Sequence, residues 1–137
     1  MFFICHSTKK HYICLMKSLL LVGFGGFLGS VLRYSIQLIV SKGYCGFFPI
    51  ATFLANIAGC FLIGIFYGLA TKYSIFDGGT RLLLTTGFCG GFTTFSTLSY
   101  ESFKLLEAGQ YITFIIYISS SFIVGVFMVM AGIWMVI

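Results

Sequence analysis

The stretch Thr85–Glu101, TTGFCGGFTTFSTLSYE, decides how this chain is read. It overlaps an uncharged run, Leu82 to Tyr100. That run is long enough to cross a membrane, because a hydrocarbon core about 30 Å thick takes roughly 20 helical residues. Yet Gly87, Gly90 and Gly91, followed by Thr93 and Thr94, make a poor helix in the middle of the span. Non-helical backbone at that depth is tolerated only where protein buries it or a polar cavity receives it. A break also exposes carbonyl oxygens at the end of one half-helix and N–H groups at the start of the next. Carbonyls suit a hard cation such as Na+, and the N-terminal dipole end suits an anion. A midplane ion site is one reading of the pattern. A glycine-softened kink, with threonine hydroxyls bonded back to their own helix, is the other.

The rest of the chain has the composition of a membrane protein. Of 137 residues, 59% are hydrophobic and 8% charged, with a mean hydropathy of +1.07. A soluble domain carries roughly 25% charge, so this chain cannot clothe itself in a water-compatible surface. Disorder is excluded as well, since it needs low hydrophobicity and high charge. The net charge of +5 is scattered, with no basic cluster beyond Lys9–Lys10, which removes nucleic acid as a partner.

Uncharged runs set the number of crossings. Gly43 to Thr71 carries no charge and has Pro49 placed like a first-turn residue, giving a span near 49–70. Ala108 to Ile137 is uncharged too, with Tyr111 and Trp134 near its ends as interface anchors, giving a span near 111–136. A span near 18–41 is apolar except for Arg33, and the interrupted one covers 82–106. The expected fold is therefore an all-α membrane protein of four transmembrane helices, the third broken at midspan. Residues 1–15 are mixed and aperiodic and read as an extension of doubtful role, with Met16 as the natural start of a single four-helix transmembrane domain over 16–137. A cleaved signal peptide is disfavoured, because no A-x-A site follows and the apolar run continues toward Arg33.

Lys and Arg in short loops mark the cytoplasmic side. Counted from Met16, one side holds Lys17, Lys72 and Arg81, and the other holds Lys42, Lys104 and Arg33 near a helix end. Such a balance, which Lys9 and Lys10 would tip if they belong to the working protein, predicts insertion both ways. A chain present in both orientations can assemble as an antiparallel, dual-topology dimer, the arrangement of inverted-repeat transporters built from two copies. Small residues at helical spacing (Gly25 and Gly29, Ala55 and Gly59, Gly64 and Gly68) predict close packing between chains.

Few groups can do chemistry. Asp77, Glu101 and Glu107 are the only acids, and His6 and His11 lie in the leader, so no acid–base pair or triad can be assembled and no enzyme is expected. The five cysteines are odd in number and include no C-x-x-C, so Cys60 and Cys89 read as small apolar packing residues. Past the break, Phe95, Leu98 and Glu101 share one helical face, with Thr94 and Thr97 beside it. Asn56 is a lone amide on the second helix, while Tyr117, Ser120 and Ser121 form the polar patch of the fourth. Intramembrane polar groups face the interior or a cavity. These are donors without a basic residue among them. A pathway built from them holds an anion by hydroxyl and amide hydrogen bonds and by the positive edges of aromatic rings. For Phe95 alone, ordinary packing is the plainer reading.

The run Gly87–Thr97, G-F-x-G-G-x-T-T-F-S-T, resembles the signature of the Fluc (CrcB) fluoride channels. GFGGFLGSVLRY (Gly23–Tyr34) is similar to that family's first helix, and ATFLANIAGCFLIG (Ala51–Gly64) to its second. The resemblance implies a fluoride-specific channel of the cell (plasma) membrane that passively lowers cytoplasmic fluoride. It implies a dual-topology homodimer with two antiparallel pores and a structural Na+ at the dimer axis, held by the carbonyls of Gly90 and Thr93. It carries the pore asparagine onto Asn56, the first pore phenylalanine onto Phe95, the pore glutamate onto Glu101, and the fourth-helix Tyr and Ser onto Tyr117 and Ser121. Arg33 matches the family's first-helix arginine. One departure stands out: Leu98 occupies the place of the second pore phenylalanine, and leucine has no electropositive edge. Either one aromatic per pore suffices, or a second homologous chain supplies the missing ring in a heterodimer.

Rival readings rest on fewer residues. Glu101 could serve a proton-coupled, four-helix multidrug exporter, but it lies toward the end of the third helix, and Lys104 nearby could pair with it instead. A purely structural subunit has little use for a broken helix. Arg33 reads as a substrate-binding charge, as a snorkelling residue, or as a donor to the helix break.

Overall fold

The computed structural model describes residues 2–44, 46–73 and 78–137, with side chains from residue 12 onward. The histidines, Lys9, Lys10, Cys5, Cys45 and Asp77 therefore lie outside the described side chains. Helix α1 spans Phe2–Ser41, α2 Ile50–Lys72 and α3 Gly78–Arg81; a π-helical segment, Leu82–Cys89, then leads into the short α4, Gly90–Phe92. Helix α5 spans Phe95–Glu107 and α6 Tyr111–Val136, and no strand occurs among the described residues.

Three helices are long and apolar enough to cross a membrane: Tyr12–Ser41 within α1, Ile50–Lys72 and Tyr111–Val136. The first extends further toward the N-terminus, because residues 2–15 are helical and continuous with it. No Gly or Pro interrupts the sequence before Gly23, so nothing in the backbone stops the helix there. Helix α2 starts directly after Pro49, whose carbonyl accepts from the Phe53 N–H at 3.1 Å. Between α5 and α6 the chain reverses through Gly109 at φ 69°. There the amides of Gly109 and Gln110 donate to the carbonyls of Leu106 and Leu105 at 3.0 and 2.8 Å, a left-handed cap for which glycine is suited.

The small residues serve packing inside the chain, which corrects their reading as contacts between chains. A Cβ on Gly25 would meet the Leu83 carbonyl, and one on Gly29 the Phe88 carbonyl, so α1 lies backbone to backbone against the π-helical segment. A Cβ on Gly64 would meet the carbonyl of Val129, and one on Gly68 would come within 3.1 Å of Val136, so α2 lies equally close to α6. Ala55 is fully buried, and Gly59 makes room for the Thr93 methyl. Helices approach so closely in lipid because van der Waals packing, not a hydrophobic force, holds them.

Candidate functional site

Between the two close-packed pairs the backbone leaves the helical region. Thr93 (φ −83°, ψ 158°) and Thr94 (φ −150°, ψ 118°) are both extended, and α5 begins at Phe95. Asn56 of α2 satisfies this gap: the Thr94 N–H donates to its Oδ1 at 2.8 Å, and its Nδ2 donates to the Thr94 carbonyl at 3.2 Å. The Thr94 hydroxyl caps α5, accepting from the Thr97 N–H at 3.2 Å and donating to the Thr97 hydroxyl at 3.0 Å. The back-bonding expected of a glycine-softened kink is present as well: the Thr93 hydroxyl donates to the Cys89 carbonyl at 2.9 Å.

This bonding has a consequence for two carbonyls. In a continuous helix, Gly90 would receive the amide of Thr94, and Thr93 that of Thr97. Here the Thr94 amide goes to Asn56 and the Thr97 amide to the Thr94 hydroxyl. Gly90 is exposed, and a Cβ there would meet nothing within 4 Å. The neighbouring Gly91 carbonyl is occupied, accepting from Arg33 Nε at 3.3 Å and the Ser30 hydroxyl at 3.4 Å. Arg33 is thus a donor to the end of the interrupted helix, one of the alternatives its sequence position left open.

A cavity of about 450 Å³ lies against the break. Asn56, Gly90, Thr93, Thr94, Phe95, Leu98 and Ser121 all line it, and its lining carries no charged side chain. The Ser121 hydroxyl is buried and has no hydrogen-bond partner. Phe95 stands 82% exposed at this site and Phe122 74%. Phe122 is a second ring on the cavity that the sequence did not single out, although it directly follows Ser121.

Glu101 lies one turn beyond Leu98 and belongs to a different cavity, of about 540 Å³, shared with Tyr44, Phe48 and Lys104. Each of its carboxylate oxygens accepts one hydroxyl: Oε1 from Thr52 at 2.8 Å and Oε2 from Tyr117 at 2.7 Å. Tyr117 is fully buried and Thr52 1% exposed, and the Phe48 ring packs edge-on against Tyr117 at 5.4 Å. Lys104 pairs with Glu107 at 2.7 Å and has no ion pair with Glu101, because the i,i+3 acid at the solvent-exposed helix end is free to reach it. Thr52 was missed in the sequence, and its signal was there: it sits four residues before Asn56, on the same helical face.

Of the sequence-derived pathway residues, then, Asn56, Thr94, Phe95, Leu98 and Ser121 converge on one cavity. Glu101 and Tyr117 form a hydrogen-bonded pair beside it on α5 and α6. Thr97 acts in the cap, and neither cavity is lined by it. Ser120 lies outside as well, its hydroxyl bonded back to the Ile116 carbonyl. Among the described residues no group of three or more His, Cys, Asp or Glu gathers to hold a metal.

A sequence model of the family described as "CrcB-like protein, Camphor Resistance (CrcB)" matches residues 20–133. Among curated relatives, the "Fluoride-specific ion channel FluC" of Phocaeicola vulgatus is 51% identical over 120 residues, covering 88% of this chain and 98% of the relative. The protein of the same name from Leptospira interrogans (strain Fiocruz L1-130) is 46% identical over 120 residues, covering 88% and 94%. That of Chlorobaculum tepidum is 47% identical over 117 residues, covering 85% and 92%. With its family matched over most of its length and relatives this similar over most of both chains, the chain belongs to the CrcB-like family.

Proposed function

We propose that this chain forms a fluoride-specific channel that lets fluoride leave the cell passively, without a catalytic step. The relatives' printed names and their identity over most of both chains support the activity. The observation that carries the pathway is the Ser121 hydroxyl, buried, unpartnered, and lining an uncharged cavity with Asn56 and Phe95. A buried donor left unpaired costs about 1–3 kcal/mol, and an ion that accepts a strong hydrogen bond there offsets that cost. With no fixed positive charge in the lining, the anion is held by hydroxyl and amide donors and by aromatic edges, weak enough to leave again. In this reading fluoride moves past Asn56, Phe95 and Leu98, with Thr94 and Thr97 shaping the start of α5, and reaches the Glu101–Tyr117–Thr52 group.

The third crossing of the membrane is the pair of half-helices on either side of Thr93–Thr94, with the break near mid-depth. The working unit is an antiparallel dual-topology dimer in the plasma membrane. Support for a partner comes from Phe95 and Gly90, which stand exposed beside an interrupted backbone that lipid alone would not satisfy. The donor set at Gly90 and Thr93 suits Na+: two carbonyls lacking their helical amides, uncharged and hard, repeated in a second copy. Bound there, Na+ would hold the two breaks together. Leu98 leaves open a homodimer or a heterodimer with a second homologous chain.

The test is a fluoride-selective electrode on liposomes loaded with this purified chain. Fluoride efflux without a proton gradient is expected. Drug-stimulated proton uptake with no fluoride flux would replace the channel by an exporter working through Glu101. Flux appearing only when a homologous chain is added would identify the heterodimer.

A further inference from the structure

We propose that Cys60 and Cys89 together form a binding site for a soft, thiophilic cation inside the 450 Å³ cavity. The two residues come from separate elements, α2 and the π-helical segment, yet both line that one cavity. Both are free thiols, and Cys89 is only 1% exposed. Gly125 of α6 faces Cys60: a Cβ there would stand in ordinary contact with its Sγ, at 3.4 Å. The rest of the lining is amide, hydroxyl and hydrocarbon, with no carboxylate or imidazole. Such a donor set is poor for magnesium, calcium or a four-coordinate zinc site. It suits a soft ion that is content with thiolates. The step balances as HgCl2 + 2 RSH → (RS)2Hg + 2 HCl, with both thiol protons leaving as acid. On the reading of this cavity as the fluoride pathway, the occupied site closes it, and the channel becomes sensitive to soft metals.

The test uses the full chain with Cys5, Cys14 and Cys45 replaced by serine, so that two thiols remain, and Hg2+ as the probe. Bound metal is measured in the presence of a competing monothiol, and fluoride efflux is measured in parallel. One Hg2+ per chain is expected. Either Cys60→Ser or Cys89→Ser should weaken binding roughly a hundredfold, because the second thiolate acts at high effective concentration. Cys60→Ala and Cys89→Ala keep the test decisive if a serine disturbs folding. Efflux should fall about tenfold on mercury and recover with dithiothreitol. Single variants that bind as tightly as the parent, or block that survives the double variant, would overturn the site. Cysteine-dependent binding with unchanged efflux would uphold the site and overturn the cavity as the pathway.

Discussion

The carboxamide of Asn56 holds both polar groups of the Thr94 main chain, accepting its N–H at 2.8 Å and donating to its carbonyl at 3.2 Å. One side chain therefore takes over both main-chain bonds of Thr94, while the Thr93 N–H keeps its helical bond to the Cys89 carbonyl at 2.9 Å. By taking the Thr94 amide, Asn56 also leaves the Gly90 carbonyl without that donor. The contact that satisfies Thr94 is thus the one that frees an oxygen one turn before it.

Tyr117 and Thr52 share the Glu101 carboxylate, at 2.7 and 2.8 Å. Tyr117→Phe removes one of these bonds to a charged acceptor, worth about 1.5–3 kcal/mol. The thermal midpoint of the purified protein should fall, and fluoride efflux should drop about tenfold as the carboxylate loses its orientation. An unchanged midpoint together with unchanged efflux would show that this hydrogen bond supports neither the fold nor conduction.

Gly29 and Gly23 make a controlled pair on α1. A methyl on Gly29 would strike the Phe88 carbonyl, whereas one on Gly23 meets nothing within 4 Å. Gly29→Ala is expected to cost about 1–3 kcal/mol by overpacking. Gly23→Ala should gain up to about 1 kcal/mol of helix propensity. Thermal unfolding in detergent, with both variants side by side, checks the sign of each.

Leu98 lines the cavity but offers no aromatic edge. Leu98→Phe in the chain alone should raise fluoride efflux several-fold, to the extent that anion–ring contacts are worth about 0.5–1.5 kcal/mol, like other aromatic contacts. Unchanged efflux would mean that Phe95, with Phe122 on the same cavity, already supplies what the pathway needs.

Helix positions were legible because lipid demands long uncharged runs: Pro49 marked the start of α2, and 111–136 is the extent of α6. The interruption was legible for a local reason too, since Gly90-Gly91 followed by two threonines lacks helix propensity. Pairings across helices were not. Nothing local distinguishes Gly25 and Gly29 packing on the chain's own π-helical segment from the same residues packing on a partner, because small-xxx-small names a surface and not its occupant. Glu101 stood out as an acid near the end of the third crossing, but its partners come from α2 and α6, at sequence separations of 49 and 16 residues. The nearby Lys104, the obvious candidate by spacing, turns to Glu107 instead.

Fluoride efflux through Asn56→Asp, set beside the unaltered chain in the same liposomes, tests the pathway most directly. The aspartate keeps an oxygen to accept the Thr94 amide but loses the donor to the Thr94 carbonyl, and a fixed negative charge enters the cavity that Asn56 lines. Unit charges 4 Å apart repel by about 4 kcal/mol at an effective dielectric near 20, and efflux should fall on the order of a hundredfold or more. Efflux equal to that of the unaltered chain would place fluoride's route elsewhere and contradict the account.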